Sequence, residues 1–353
     1  MAANITYHEQ TDMDNIRKLR EVLKTLPAFA KDYFRAIEPT TSTKTRISYA
    51  YDIRIFFQFL ISQNPSLAKI GIPNLNVSVL DQLKPIDIEE YMEYLKLYDS
   101  PNDQTTITNG ERGLKRKISS LRSFYTYYYK RQAIETNPVQ LVDMPKIHDK
   151  AIIRLDAGET AALLDYIEHC GDQLTGQRKA YYEKTKLRDL AIVTLLLGTG
   201  IRVSECVGLD VEDIDFRNNG IRLIRKGGSE MVVYFGPEVE KALKDYLEAR
   251  KAISPLEGHE HALFYSTQRK RIGVQVVENL VKKYARAITT TKKITPHKLR
   301  STYGTTLYQE TGDIYLVADV LGHKDVNTTK KHYAAMDDAR RRKAATAISL
   351  RED

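Results

Sequence analysis

Thr295-Pro296-His297-Lys298-Leu299-Arg300, then Leu321-Gly322-His323, then Asn327-Thr328-Thr329-Lys330-Lys331-His332-Tyr333 form one ordered run near the end of the chain. It combines cations, histidines and a phenol, the groups that chemistry on a phosphate needs. A guanidinium is planar, always charged and donates two parallel hydrogen bonds to phosphate oxygens. Histidine exchanges protons near neutral pH, and a tyrosine oxygen can form a covalent intermediate. Upstream, Gly198-Thr199-Gly200-Ile201-Arg202-Val203-Ser204-Glu205 and Arg225-Lys226-Gly227-Gly228 add another arginine and a lysine.

Singly, each of these residues has an ordinary reading. Tyr333 is one of 22 tyrosines, and a lone tyrosine most often belongs to a surface or a core. Arg202 alone is a helix-start arginine, Lys226 a turn lysine, and His297 and His323 structural histidines. The five boxes in one order are what points to chemistry.

Composition agrees. The chain has 353 residues, enough for two domains with separate cores. Its formal charge of +8 favours a polyanionic partner, because neutralising phosphates releases condensed counterions. No acidic residue lies between Glu278 and Glu310, an interval that holds Lys282, Lys283, Arg286, Lys292, Lys293, Lys298 and Arg300. Such a one-signed stretch attracts a phosphate backbone, although a solvated basic face would read the same way. The two cysteines, Cys170 and Cys206, have no metal-ligand spacing, so no disulfide framework or metal site is expected. The amino terminus lacks the apolar core of a signal peptide, and no run reaches the roughly 18 apolar residues of a membrane span. A cytoplasmic protein without membrane insertion is expected. None of the Gly-rich stretches carries the lysine of a nucleotide-binding loop, so no nucleotide cofactor is expected either.

Periodicity divides the chain. Ala50, Ile53, Phe57 and Leu60, with Phe56 widening the stripe, predict a helix within 45–61. Leu114, Ile118, Leu121, Tyr125 and Tyr128 predict a second within 111–130, with Arg112, Lys115, Arg116 and Arg122 on its other face. The first part therefore reads as all-helical, with Asn64-Pro65-Ser66 and Ser100-Pro101-Asn102-Asp103 as connections. The proline-marked segment from Asn137 to Lys150 suggests the boundary, giving domains 1–145 and 146–353. Beyond it, Leu187 to Leu197 predicts a buried core helix. Ile221-Arg222-Leu223 and Met231-Val232-Val233-Tyr234-Phe235 predict two strands around Lys226-Gly227-Gly228.

In order and spacing, the boxes from about Lys150 to Arg341 resemble the tyrosine recombinase family, the Xer-like and phage-type integrases. More loosely, Thr45-x-x-x-Tyr49-x-x-Asp52-Ile53-x-x-Phe56 and the basic helix from Glu111 resemble that family's helical core-binding domain. The resemblance implies a mainly α fold with a small β-sheet in the C-terminal domain. A SAM-like helical clamp domain would precede a mixed α/β catalytic domain.

It also implies site-specific cutting and rejoining of DNA. Tyr333 would be the nucleophile, Arg202 and Arg300 would grip the phosphate, Lys226 would protonate the leaving oxygen, and His297 and His323 would handle protons. A 3′-phosphotyrosine conserves bond energy, so strand exchange through a Holliday junction needs no ATP, metal or cofactor. The implied partners are a double-stranded recombination site and a synaptic homotetramer whose C-terminal tails dock in trans. An accessory DNA translocase or excision factor also belongs with this reading. The DNA-contact candidates are Lys44, Arg112, Lys115, Arg116, Arg122, Lys282, Lys283, Arg286, Lys292 and Lys293.

Two positions depart from the pattern. The step from His323 to Tyr333 is ten residues, longer than is common in the family, with His332 as the extra position. Ser301 follows Arg300 where many relatives carry histidine. Three other readings stand beside this one: a type IB topoisomerase, a DNA-binding regulator that keeps the fold without the chemistry, and, more remotely, a metal hydrolase built on His297 and His323.

Overall fold

The structure, a computed structural model, describes residues 6–100, 105–148, 152–225, 230–323, 325 and 326. The chain divides into two compact units, Met1–Lys150 and Ala151–Asp353.

In the first unit the apolar stripes become helices. The order is α1 (Tyr7–Lys24), α2 (Ala30–Ala36), α3 (Thr43–Gln63), α4 (Pro65–Ile70), α5 (Pro85–Tyr94), β1 (Leu97–Asp99), β2 (Thr106–Thr108), α6 (Glu111–Lys130) and α7 (Pro138–Leu141). Ser42 starts α3 by accepting the backbone N–H of Thr45 on its hydroxyl at 3.3 Å, an N-cap that satisfies one orphan donor. Ala50, Ile53, Phe56, Phe57 and Leu60 are buried, as are Leu114, Ile118, Leu121, Tyr125 and Tyr128 of α6.

Rings lock these helices together. Phe56 meets Tyr91 at 5.2 Å and Tyr33 meets Phe124 at 5.1 Å between centroids, both edge to face. That geometry adds to the large apolar area that each aromatic buries. The buried phenols are anchored too: Tyr128 Oη donates to Phe29 O at 2.7 Å and Tyr33 Oη to Ser123 Oγ at 2.9 Å.

One feature corrects the all-helical reading of this unit. β1 and β2 pair antiparallel, with Tyr98 opposite Ile107. Each strand is three residues long, too short to show an alternating pattern.

The second unit runs α8 (Ala157–His169), α9 (Gly176–Thr199), α10 (Val203–Gly208), β3 (Ile214–Asp215), β4 (Gly220–Ile224), β5 (Glu230–Tyr234), α11 (Pro237–Arg250), α12 (Val274–Ile288), α13 (Pro296–Thr311) and α14 (Ile314–Leu321). The expected core helix is α9, which extends further toward the N-terminus than its apolar run. Ala191 to Leu196 are buried without a break, because α8, α11 and α13 pack around it. Gly198 makes the closest approach possible: a Cβ there would run into Val239 Cγ2 of α11.

The two expected strands form as β4 and β5, antiparallel, with Ile221 opposite Val233, and the short β3 adds an edge strand beside β4. Ile221 and Leu223 face the core while Arg222 is exposed, the alternation of a half-buried strand. Inside the unit, Asp189 of α9 accepts from Arg188 Nη2 at 2.7 Å and from Tyr284 Oη of α12 at 3.0 Å. Burial alone would push this carboxyl up, and the Arg188 guanidinium opposes it. The protein is thus mainly helical with small antiparallel sheets.

Candidate active site

Helix ends build the site. α9 ends at Gly200, whose φ of +63° is left-handed, and a Cβ there would run into Tyr303 Cδ1 and lie 3.0 Å from Leu321 Cδ2. Only glycine turns the chain there while letting α13 and α14 close in. The turn delivers Arg202 as the N-cap of α10. Glu205, 7% exposed, takes the Arg202 backbone N–H on Oε2 and the Nη1 on Oε1, both at 2.7 Å. The Arg202 side chain keeps 40% of its surface exposed, so its backbone is fixed while its charge still reaches solvent.

Thr295 and Pro296 start α13, with proline at the first position, where a missing N–H costs nothing. One turn in, Arg300 is 4% exposed. Its Nη1 donates to Gly200 O at 2.5 Å and its Nη2 to Leu321 O. His297 lies three residues earlier and is exposed at the head of the same helix, on the face it shares with Arg300.

α14 ends in a Schellman turn. Gly322 has φ +59°, its N–H donates to Asp319 O at 2.8 Å, and the His323 N–H donates to Ala318 O at 2.9 Å. The carbonyl row at this end receives arginines: Arg202 Nη2 reaches Gly322 O at 3.3 Å, beside the Arg300 bond to Leu321 O. Residues far apart in sequence, Arg202, Arg300 and His323, therefore share one turn. Two guanidinium groups thus meet on one turn, Arg300 buried with both terminal nitrogens on backbone carbonyls and Arg202 still part-exposed.

Arg225 was not assigned a role by the sequence reading and belongs to this cluster. Its Nη2 donates to Val320 O at 2.9 Å. Burial lowers its pKa, with Glu205 opposing and Arg202 adding to the effect. Beyond its place beside Lys226 in one box, the sequence gives no sign of this contact. Cys206, fully buried on α10, has its thiol pushed up to about 12 by burial. Lys226 and Tyr333 lie outside the described residues, as does the tail from Asp337.

The expected DNA-contact residues are scattered. Lys44, Arg112, Lys282, Lys283, Arg286 and Lys293 are exposed. Lys282, Arg286 and Lys293 line, with Thr289, Thr290 and Thr291, a surface hollow of about 340 Å³. Lys292, by contrast, is paired with Glu159 of α8 at 2.5 Å. On α6 the basic residues expected on one face do different things. Lys115 is half-buried, and Arg116 is ion-paired with Asp52, a carboxylate 2% exposed. Arg122 donates from Nη2 to Val139 O at 3.1 Å and Val142 O at 2.9 Å. No group of three or more potential metal-ligating side chains occurs among the described residues. No helix among them is long and apolar enough to cross a membrane.

Comparison with known proteins gives consistent likenesses. The sequence model described as the phage integrase family matches residues 154–340. The chain is 32% identical over 346 residues to the tyrosine recombinase XerC of Caldanaerobacter subterraneus subsp. tengcongensis, covering 94% of this chain and 90% of that one. It is 29% identical over 344 residues to the tyrosine recombinase XerS of Streptococcus equi subsp. zooepidemicus, covering 92% and 96%. Among solved structures, it is similar to the XerH site-specific recombinase bound to palindromic difH substrate in a post-cleavage complex. There the TM-score is 0.64 at 19% identity, over 87% of this chain and 80% of that one. The Tn1549 transposon integrase in complex with circular intermediate DNA gives a TM-score of 0.58 at 22% identity, over 88% and 97%.

Proposed function

Because the chain belongs to the phage integrase family of tyrosine recombinases, we propose that it exchanges DNA strands at a specific site through a covalent phosphotyrosine. The observation that carries this reading is the convergence of Arg202 and Arg300 on the turn that ends in His323. Two guanidinium groups there match the charge that develops on a pentavalent phosphate, and preorganised donors of this kind are often the largest single catalytic contribution.

In the proposed cleavage step Tyr333 Oη attacks the scissile phosphorus. The bond to the 5′-oxygen breaks, and the 3′-phosphate remains on the tyrosine. Lys226 supplies the proton to the leaving 5′-oxygen, and His297 and His323 take up or share the phenol proton. Religation reverses the step with a 5′-hydroxyl from another strand. The bond energy stays in the phosphotyrosine, so the exchange runs without ATP.

The working assembly in this proposal is a homotetramer on two duplexes, passing through a Holliday junction, with each C-terminal tail docked on a neighbour. The exposed cations Lys44, Arg112, Lys282, Lys283, Arg286 and Lys293 track the DNA backbone, with Lys115 and Arg116 beside them. The biological task is chromosome-dimer resolution or integration and excision of a mobile element, in the cytoplasm, with an accessory factor where direction must be imposed.

A nicked suicide duplex tests the reading, because loss of the short strand traps the covalent state. Wild type should leave a denaturant-resistant protein–DNA adduct and Tyr333→Phe none, with equal binding by both. Tight binding without an adduct in wild type would move the assignment to a DNA-binding regulator.

A further inference from the structure

The C-terminal end of α14 receives three guanidinium groups, one on each of three successive carbonyls. Arg225 donates to Val320 O, Arg300 to Leu321 O and Arg202 to Gly322 O. A helix leaves its last carbonyls without intrahelical partners and carries partial negative charge there, so each donation is favourable. Arg300 and Arg202 have proposed roles at the phosphate, whereas Arg225 comes from elsewhere: it follows the last residue of β4, Ile224, and immediately precedes Lys226.

Its fit is specific. A Cβ at residue 322 would overlap the Arg225 guanidinium, Nη1 first, so the tip of that group occupies the space a side chain there would need. Its Nε is buried with no hydrogen-bond partner, an arrangement that costs free energy and calls for a reason. A guanidinium can place one nitrogen in that space and donate from another to a carbonyl; a single ammonium cannot do both.

We infer that Arg225 is a positioning residue for DNA cleavage: it pins the end of β4, one residue before Lys226, to the turn that carries Gly322 and His323. The inference rests on the reading of Lys226 as the proton donor. Its physical content is that strand and turn share one fixed contact, so the donor is indexed to the groups that grip the phosphate. Misplacement by about 1 Å can cost roughly 10²-fold in rate.

The test is single-turnover cleavage of two nicked duplexes, one with an ordinary 5′-oxygen at the scissile bond and one with a bridging 5′-sulfur. A thiolate leaves without protonation, since its reference pKa is about 8.5. Lys226→Ala is expected to lose roughly 10²-fold to 10⁴-fold on oxygen and recover on sulfur. Arg225→Ala and Arg225→Lys should each lose about 10²-fold on oxygen and recover on sulfur. The double variant should be no slower than Lys226→Ala. Arg225 variants equally slow on both substrates would overturn the inference, because the residue would then act on the phosphate or on the fold. So would Arg225→Lys at the wild-type rate, because charge alone would suffice. If Lys226→Ala stays slow on sulfur, the donor assignment fails, and the inference that rests on it falls with it. Should Arg225→Ala not fold, Arg225→Gln takes its place in every comparison.

Discussion

At the residue scale, the glycines of the motif boxes are as informative as the cations. Gly200 combines a left-handed φ of +63° with a position where a methyl would run into Tyr303. Its carbonyl also accepts from Arg300. Gly200→Ala is therefore expected to destabilise the protein by about 1 to 2 kcal/mol through backbone strain and by about 1 to 3 kcal/mol through overpacking. Cleavage should fall in the same variant as Arg300 is displaced. A urea titration checks the first part: the midpoint should drop at unchanged slope, and a midpoint within experimental error of wild type would refute the packing argument. The cations themselves could be read from sequence because phosphate chemistry restricts the residue types that serve it. Arg225 could not, because its role depends on a bare Cα at Gly322, far along the chain, and on a carbonyl that becomes available only where α14 ends.

At the scale of elements, the helices with long apolar runs, α3, α6 and the buried part of α9, were legible, while long helices such as α1 and α12 and the smallest strands went unread. α3 and α6 follow their apolar stripes closely, because burying one face of a long helix needs a repeat visible over many residues. β1, β2 and β3 span two or three residues each, too few for an alternation of period two to repeat. The polar face of α6 shows another limit: periodicity tells which side chains leave the core but not what they meet outside it. Arg122 meets the carbonyls of Val139 and Val142 and ties α6 to the segment around α7, whereas Arg112 is exposed. Arg122→Ala should thus destabilise the first unit by about 1 to 3 kcal/mol, the cost of hydrogen bonds to a charged group, and leave the salt dependence of DNA binding unchanged. Arg112→Ala should do the reverse, keeping stability and lowering the salt slope by about 1. Thermal melts paired with binding isotherms at several salt concentrations separate the two. A lower slope for Arg122→Ala would return that residue to the DNA-contact set.

At the scale of the whole molecule, the tyrosine content of the apolar cores was not legible in the sequence. Among the buried tyrosines are Tyr33, Tyr91, Tyr125 and Tyr128 in the first unit and Tyr246 and Tyr284 in the second. Burial raises the pKa of all six above the ordinary value of 10.0, and brings Tyr246 to about 12. The folded state therefore holds protons that the unfolded chain releases as the pH passes 10. By linkage, the stability these phenols contribute is complete below pH 10 and is lost as the pH rises toward their folded values. The loss is about 1.4 kcal/mol per pH unit for each group. Exposed tyrosines such as Tyr234 and Tyr315 should ionise first, with no change in helix content. The buried set should ionise only in a second, cooperative step together with loss of the far-ultraviolet helix signal. Phenolate absorbance at 295 nm and circular dichroism, followed on one sample from pH 8 upward, make the comparison. A single smooth phenolate transition near pH 10, with helicity intact, would mean that these side chains are open to water and that neither core is packed as described.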